Sequence, residues 1–594
     1  MTDGKTVTIN IDGIELKVEK GTTILQAAER IGIRIPTLCY HPDLSLHGSC
    51  RVCIVDVKDM GYYMTACSVE CWDGMEIQTN SPSIRQARRD IVELLLDNHP
   101  KECQTCERDG NCELQNLAYT LGVRERLFEG ERKHFETDKS SRSVVREPDK
   151  CILCGRCVRV CAEIQGIHNL SMHGRGFRTV VSPAHGDKMD KSVCIQCGQC
   201  VNVCPTAAFL EQDYTDEVWA AIANPKKHVV VHTAPSIRAA IGEGFGQRPG
   251  MPATGRMVAA LRLLGFDAVF DTNFGADLTI VEESAEFLNR LKGEGPLPML
   301  TSCSPGWINY LEKFQPHLIP YASTCRSPMM MTSVLLKTYY AQKKGIDPKD
   351  IYVVSIMPCV AKKYEARRPE HFMADGTPYN DAVLTTRELI WMIKSMGIDL
   401  WTLQAIDLAA FPNEGFDSPL GESSGAGDIF GTTGGVMEAT LRTAVERLTG
   451  KPADRLEFTE VRAVEGLREA TLEIAGQTIR VGVANGLVNA AELLDRATRG
   501  DKPYHIVEVM ACPGGCIGGG GQPYPPRGMK AMAPELLAMR AQALYDIDVA
   551  KSLRRSHENP SIRKLYAEFL GEIGGPKARE LLHTHYAARL PRGI

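Results

Sequence analysis

The strongest constraint on this chain is the placement of its cysteines: of 21 in 594 residues, eight precede residue 113, eight lie between 151 and 204, and five are scattered from 303 to 516. The run CILCGRCVRVC, starting at Cys151, recurs as CIQCGQCVNVC at Cys194 with every cysteine at the same spacing. Two copies are too few for a solenoid, so the repeat reads as one duplicated unit. Thiols this closely spaced, in a reducing compartment, serve as metal ligands or catalytic groups rather than as disulfides. The compartment is read from the start, MTDGKTVTINIDG, which has neither the apolar core nor the small-residue cleavage site of a secretory signal. No stretch reaches the roughly 18 apolar residues of a membrane helix, so a cytoplasmic chain without a membrane span is expected. Basic and acidic residues number 68 and 73, for a net charge of −5. Such a balance leaves no positive surplus for a nucleic acid.

At ~150 residues per domain the length allows about four units. Val7, Ile9 and Ile11 alternate up to Asp12-Gly13, and Leu16 and Val18 alternate after it, which predicts a hairpin. The helix-like run TILQAAERIGI follows. Strand, turn, strand and helix predict a β-grasp unit over residues 1–80, closed by the loop that carries Cys39, Cys50, Cys53 and Cys67. Apolar residues at helical spacing in SIRQARRDIVELLLD lead into NHPKECQTCERDGNC, a second unit over 81–140. The duplicated runs occupy a third, 141–224. Beyond Pro225 the pattern becomes βα alternation: HVVVHTAP, PLPMLTSC, IYVVSIMPC and YHIVEVMAC read as short apolar strands, and three of the four end at a cysteine. Open α/β sheets bind ligands at the carboxyl ends of their strands. An α/β domain is therefore predicted over 225–525, with a helical, cysteine-free segment over 526–594. The fold class is multidomain, α+β in front and α/β behind.

Cys39, Cys50, Cys53 and Cys67 combine a wide gap, a tight pair and a distant fourth thiol, a mix related to that of plant-type two-iron clusters. Tetrahedral zinc is the alternative for such a set. Cys71 reads as a spare packing residue. In His99, Cys103, Cys106 and Cys112 an imidazole completes three thiols, as histidine replaces cysteine in Rieske centres. Two-cluster ferredoxins use the fourth cysteine of each run for the other cluster. That rule groups Cys151, Cys154 and Cys157 with Cys204, and Cys194, Cys197 and Cys200 with Cys161; Pro205 follows the last thiol as the pattern expects. The front of the chain thus predicts one [2Fe-2S] and three [4Fe-4S] clusters, an electron wire through a histidine-ligated cluster domain and a two-cluster ferredoxin domain.

Three rear segments, TSCSPGW at 301–307, MPCVAKKYE at 357–365 and EVMACPGGCIGGGGQP at 508–523, resemble the three signature segments of [FeFe]-hydrogenases. Nearly the whole chain resembles the large multi-cluster members of that family. The resemblance implies an H-cluster, a cubane joined through a cysteine sulfur to a two-iron unit with carbonyl, cyanide and dithiolate ligands. It implies Cys359, Cys512 and Cys516 as cubane ligands, with Cys516 the bridge, and Lys362 as a donor to a cyanide. Ala234, Pro235, Ser236, Met357 and Met510 then fall around the two-iron unit. It also implies a proton relay of Arg290, Glu286, Ser323, Glu283 and Cys303. Glu283, Glu286 and Arg290 stand three and four residues apart, so one helical face holds them, which is equally the spacing of a salt-bridged surface. The glycines around Cys512 and Cys516 are expected to let backbone approach a bulky cofactor. Two positions depart from the family pattern. Ser304 stands where the family has its fourth cubane cysteine, and cluster iron favours thiolate over alkoxide, so a compromised fourth ligand is expected there. Met329 stands where many relatives carry a glutamine.

The function implied is reversible interconversion of H2 with protons and electrons, after assembly of the H-cluster by maturation enzymes. The first 210 residues also resemble the front of the large peripheral subunit of respiratory NADH dehydrogenases, which leaves an electron-transfer subunit as one alternative. A low-turnover hydrogen sensor is another, against which stands the lack of a sensory or transmitter segment. No GxGxxG lies between a strand and a helix to hold a dinucleotide. The expected electron partner is therefore either a ferredoxin or a separate flavin/NAD(P)-binding subunit, the latter making the chain part of a hetero-oligomer.

Overall fold

The computed structural model describes residues 6–589 apart from 125–127, 129, 404–414, 452–454, 464–465, 475, 500–502 and 527. At the front, Thr6–Ile11 and Ile14–Glu19 form the antiparallel hairpin expected from the alternation. Asp12 and Gly13 both turn through positive φ (50° and 89°), as a two-residue hairpin turn of matching twist requires. Met75–Gln78 then pairs parallel with the first strand, and Ile54–Val57 pairs antiparallel with Met75–Gln78, giving a five-stranded sheet that ends at Met64–Thr65. Across it lies the helix Ile24–Arg30, started by a reciprocal cap between Thr23 and Gln26. Its Ile24, Leu25, Ala27 and Ala28 share one apolar core with Ile9, Ile11, Val55 and Cys71. The helix Pro82–Asp97 follows at the place the periodicity predicts.

The duplicated unit is tied off by pairing of Val144–Arg146 with Phe209–Glu211. Behind it stand two four-stranded sheets. One is fully parallel, in the order Ala268–Asp271, His228–Thr233, Ile351–Met357, Ala382–Thr385. The other runs Met299–Leu300, Ile506–Met510, Gln477–Asn485, Leu467–Ile474, parallel except for its last pair. All four apolar runs noted in the sequence are strands, but they are divided between two sheets. The helix Thr272–Leu291, mostly buried, packs Phe274, Leu278 and Val281 into the core of the first sheet and Phe287 into that of the second.

The cysteine-free end is helical, with Pro534–Ala550, Pro560–Leu565 and Pro576–Leu582. Buried ion pairs fasten it to the α/β part, Arg442 to Asp548 (2.8 Å) and Arg540 to Glu243 (2.7 Å). Removing one partner of such a pair strands a charge in the interior at a cost of about 3–5 kcal/mol. Among the described residues no helix is long and apolar enough to cross a membrane.

Candidate metal centres

Four groups of ligands are assembled in the front half. The thiols of Cys39, Cys50, Cys53 and Cys67 are gathered close together, Cys39 near Cys50 and Cys67, and Cys53 near Cys67. Cys71 stays outside this group, in the apolar core, where burial pushes its thiol up to about 11. His99, Cys103, Cys106 and Cys112 line a single small cavity. Burial lowers His99 to about 4, which keeps the imidazole neutral as a metal ligand must be. Its buried Nδ1 has no hydrogen-bond partner.

A second cavity is lined by Cys151, Cys154, Cys157 and Cys204, and a third by Cys161, Cys194, Cys197 and Cys200, the crossed sets expected from the repeat. Both copies adopt the same unusual backbone. Leu153 and Gln196 lie at φ 55° and 66°, Gly155 and Gly198 at 71° and 73°. Positive φ at a leucine is disfavoured and persists only where the surroundings dictate it. Here it turns the N–H groups of Leu153 and Gln196 onto the sulfurs of Cys151 and Cys194 (3.4 and 3.3 Å). Such donors stabilise thiolates that carry a cluster's negative charge. In every set the donor chemistry suits iron–sulfur ligation, so the residues present fit the clusters.

The sets do not lie in single file. Cys39, Cys50, Cys112 and Cys154 share one apolar core, so the two front sets both abut the Cys151 set. Arg159 Nη2 bonds the carbonyl of Cys39 (2.6 Å), and the half-buried Glu113 joins Arg156 (2.6 Å) to Lys530 (2.6 Å). The Cys197 loop faces the rear: Gln199 Nε2 donates to the carbonyl of Gly518 (3.1 Å), and Gln165 Nε2 to that of Ala511 (2.8 Å).

The rear thiols meet at the ends of the strands. Cys359 follows Ile351–Met357, Cys512 follows Ile506–Met510, and the thiols of Cys359 and Cys516 lie close enough to the buried Cys512 to raise its proton affinity. Three thiols brought this close fit three corners of a cubane. The fourth corner is different. Ser304 Oγ accepts a hydrogen bond from the Ala511 N–H (3.2 Å), one residue before Cys512, so the hydroxyl lies alongside the ligand loop with its own hydrogen bond. Gly514 and Gly515 lie at positive φ (71° and 91°), and two further glycines of the loop bring protein backbone together. A Cβ on Gly519 would sit 2.3 Å from the Pro358 carbonyl oxygen, and one on Gly520 would sit 2.8 Å from the Gly198 backbone. They admit neighbouring protein backbone, pressing the Cys516 loop against both the Cys359 loop and the Cys197 loop.

Lys362 is buried, pairs with Glu365 (2.6 Å) and donates to the carbonyl of Cys303 (3.2 Å). Ala234, Met329 and Met357 share one apolar core. Pro235 is buried, Ser236 Oγ accepts from Gln522 Nε2 (3.3 Å), and Met510 packs with Cys303.

All five expected relay residues come together. Arg290 Nη2 pairs with Glu286 Oε1 (2.5 Å), and Ser323 Oγ donates to Glu286 Oε2 (3.1 Å) while lying in hydrogen-bond reach of Glu283. Burial, then the charge of Glu286, pushes Glu283 up to about 8. Burial and the carboxylates of Glu283 and Glu508 push the Cys303 thiol up as well. Glu508 was not anticipated from the sequence. Burial raises it to about 7 although it accepts from the N–H groups of Gly434 and Met437 (2.7 Å each). The signal was present, since a glutamate in the middle of the apolar strand HIVEVMAC has to be satisfied inside the protein.

The match of the chain to known proteins follows the same division. Residues 4–82 match a 2Fe-2S iron-sulfur cluster binding domain, 88–126 the NADH-ubiquinone oxidoreductase-G iron-sulfur binding region, and 150–208 a 4Fe-4S dicluster domain. Residues 227–520 match the iron only hydrogenase large subunit, C-terminal domain, and 534–589 the iron hydrogenase small subunit. The NADP-reducing hydrogenase subunit HndD of Solidesulfovibrio fructosivorans is 48% identical over 98% of this chain and 99% of its own. The chain belongs to the [FeFe]-hydrogenase family. Iron hydrogenase 1 of Clostridium pasteurianum is 40% identical over 98% of this chain and 99% of its own. Among solved structures, the [FeFe]-hydrogenase HydA1 of Chlamydomonas reinhardtii covers 64% of this chain and 99% of its own at 45% identity, with a TM-score of 0.56. As a member of the [FeFe]-hydrogenase family the chain is a mixed α/β multidomain oxidoreductase. It interconverts H2 with protons and electrons at an H-cluster and passes the electrons through [2Fe-2S] and [4Fe-4S] clusters. The rear match decides against a purely electron-transferring subunit.

Proposed function

We propose that residues 1–80 form a β-grasp [2Fe-2S] domain, 81–140 a His/Cys3 [4Fe-4S] domain, 141–224 a ferredoxin-like domain with two clusters, 225–525 the catalytic domain and 526–594 its helical extension. Cys39, Cys50, Cys53 and Cys67 hold the first cluster, and His99, Cys103, Cys106 and Cys112 the second. The crossed sets of Cys151, Cys154, Cys157, Cys204 and of Cys194, Cys197, Cys200, Cys161 hold the other two. Cys359, Cys512 and Cys516 hold the cubane.

When bound, the H-cluster supplies the chemistry that makes and splits the H–H bond. The protein's own residues move the protons. The observation that carries this reading is that the Cys303 segment meets Lys362 (3.2 Å to its carbonyl) and packs on Met510 just before Cys512, while Ser323 bonds Glu286 (3.1 Å) on the helix that also bears Glu283. Cys303 Sγ exchanges a proton with Glu283, Ser323 Oγ passes it to Glu286, and Arg290 holds Glu286 at the outer end. Each member carries a transferable proton or fixes one that does. Lys362 presents its ammonium to the cofactor, and Ala234, Pro235, Ser236, Met329, Met357 and Met510 exclude water from it.

With clusters bound, the Cys197 and Cys154 sets would link the rear site to the two front sets, and Cys103, an exposed thiol, would bring the second of these to the surface. The outward acceptor is a separate flavin/NAD(P)-binding subunit in a cytoplasmic hetero-oligomer, a reading supported by the NADP-reducing relative and by the missing dinucleotide fingerprint. Matured enzyme alone is expected to reduce a viologen dye with H2, and to reduce NADP only after the flavin subunit is added. Absence of dye reduction would overturn the catalytic assignment. Efficient direct reduction of ferredoxin, with no effect of the flavin subunit, would replace the partner.

A further inference from the structure

The cavities of the three four-ligand sets differ in charge. Among the described residues, no charged side chain lines those of the Cys151 and Cys194 sets, whereas Arg108, Lys150, Glu102 and Asp109 line that of the His99 set. Three of these four charges are answered elsewhere. Glu102 and Asp109 are exposed, where water and salt screen them, and Asp109 accepts from Gln115 Nε2 (2.6 Å). Lys150 is buried but pairs with Glu147 (2.9 Å).

Arg108 is different. It is only 3% exposed, and its Nη2 donates to the Asn111 carbonyl (2.9 Å), but Nε and Nη1, both buried, have no hydrogen-bond partner. Tyr524, which follows the glycine loop of Cys516, lays its ring over the guanidinium, 3.5 Å from carbon to ring centre. A ring on the flat face closes that side to water and leaves the N–H groups at the edge of the fork unused. Tyr524 is itself packed on Arg387 (4.5 Å), which bonds the carbonyls of Gly520 (2.5 Å) and Gln522 (2.8 Å). The rear of the chain thus supplies a fixed cover for a cation at the wall of a front cavity. A buried donor without a partner is costly, and beside a cofactor cavity the missing partner is the cofactor.

We propose that Arg108 donates its Nε and Nη1 hydrogens to sulfur atoms of the cluster held by His99, Cys103, Cys106 and Cys112, and raises the reduction potential of that cluster. Reduction adds one electron and one negative charge to a cluster. A buried cation beside it and hydrogen bonds to its sulfurs both favour the reduced form, and arginine keeps its charge at every working pH. Replacing a thiolate by the neutral imidazole of His99 acts in the same direction, so ligand and lining agree. The electron comes from H2 and goes on to the outward acceptor, and Arg108 changes only how readily the set keeps it. The proposal rests on the assignment of a four-iron cluster to the His99 set.

The test uses matured enzyme titrated with reductant and followed by electron paramagnetic resonance, with His99→Ala identifying the signal that belongs to the His99 set. Arg108→Gln is expected to keep the iron content and to make that cluster at least ~10-fold harder to reduce, about 59 mV for a one-electron couple, while the other signals titrate as in the parent. Arg108→Lys, which keeps the charge but not the fork, should fall between the two. Tyr524→Leu, which lets water screen an intact Arg108, should move the potential in the same direction by less. A His99-dependent signal that titrates alike in the parent, in Arg108→Gln and in Tyr524→Leu would overturn the proposal alone. A His99→Ala protein with every signal unaltered would overturn the cluster assignment and the proposal with it. Should Arg108→Gln lose the irons of the set, Tyr524→Leu decides, a lowered potential upholding the proposal and an unchanged one overturning it.

Discussion

In the duplicated unit each set of four thiols comes from one short run plus a single cysteine of its twin, whereas the rear site gathers Cys359 and Cys512 from the ends of strands in two different sheets and Cys516 from the glycine loop beyond. The front thiols are positioned by local backbone, including left-handed residues repeated at the same place in both copies. The rear thiols are positioned by the packing of whole sheets, with Gly519 and Gly520 letting three loops touch. A site made by a contiguous loop fails alone. A site made by distant strands fails together with the contacts that join them.

The sharpest way to break this contrast is to remove one thiol from each region. Cys516→Ala is expected to abolish turnover and the carbonyl and cyanide infrared bands of matured enzyme, while the front clusters keep their electron paramagnetic resonance signals. Cys154→Ala should lose its own four-iron signal and slow electron exit, yet leave the infrared bands in place. Bands missing from both variants would show that the front and rear do not assemble independently.

A smaller effect belongs to Glu283, which lies between the regions and holds no metal. Its ordinary carboxylate value of 4.5 is raised to about 8 by burial and then by Glu286, so at neutral pH the acid is protonated and ready to donate. H2 evolution should therefore fall as pH rises through about 8, while the infrared bands stay constant. Glu283→Gln should lower the rate by at least ~100-fold, the lower range for a positioned proton donor, and the remaining activity should lose that pH limb. A variant with the parental pH profile would remove Glu283 from the relay.

The smallest change concerns Ser304. Its hydroxyl is engaged by the Ala511 N–H, and a neutral alcohol is a poor ligand for cluster iron. Ser304→Cys is expected to raise H-cluster occupancy and turnover severalfold, to a degree set by how far the fourth corner limits assembly. Unchanged infrared intensity and unchanged rate would mean that the serine is a working part of the site, and that three thiols from distant strands suffice.

Much of this was legible in the residues. The hairpin around Asp12-Gly13, the helix beginning near Ser83 and the crossed thiol sets depend on interactions within a few residues, or on a repeat that states its own pairing. The rear was legible chiefly through the resemblance of its three signature segments. The placement of the four apolar strands in two sheets was not, because a short buried strand carries no mark of which neighbour it will join. Glu508 was passed over as one acid in an apolar run, and Cys325 as one thiol among scattered ones. The pairing of Cys325 with His583 joins residues more than 250 positions apart, and no local pattern announces it.

Sequence alone therefore determined which atoms are available to hold iron and, through spacing, which front thiols act together, because tight turns and intervals of two or three residues leave the backbone few alternatives. Tertiary structure alone decided that both front thiol sets meet the same Cys151 set, that Gly519 and Gly520 receive neighbouring backbone, and that the relay ends beside a cysteine and a histidine. Those outcomes depend on contacts between segments far apart in the chain, whose energies come from buried area and shape and are fixed only when the sheets and helices have packed.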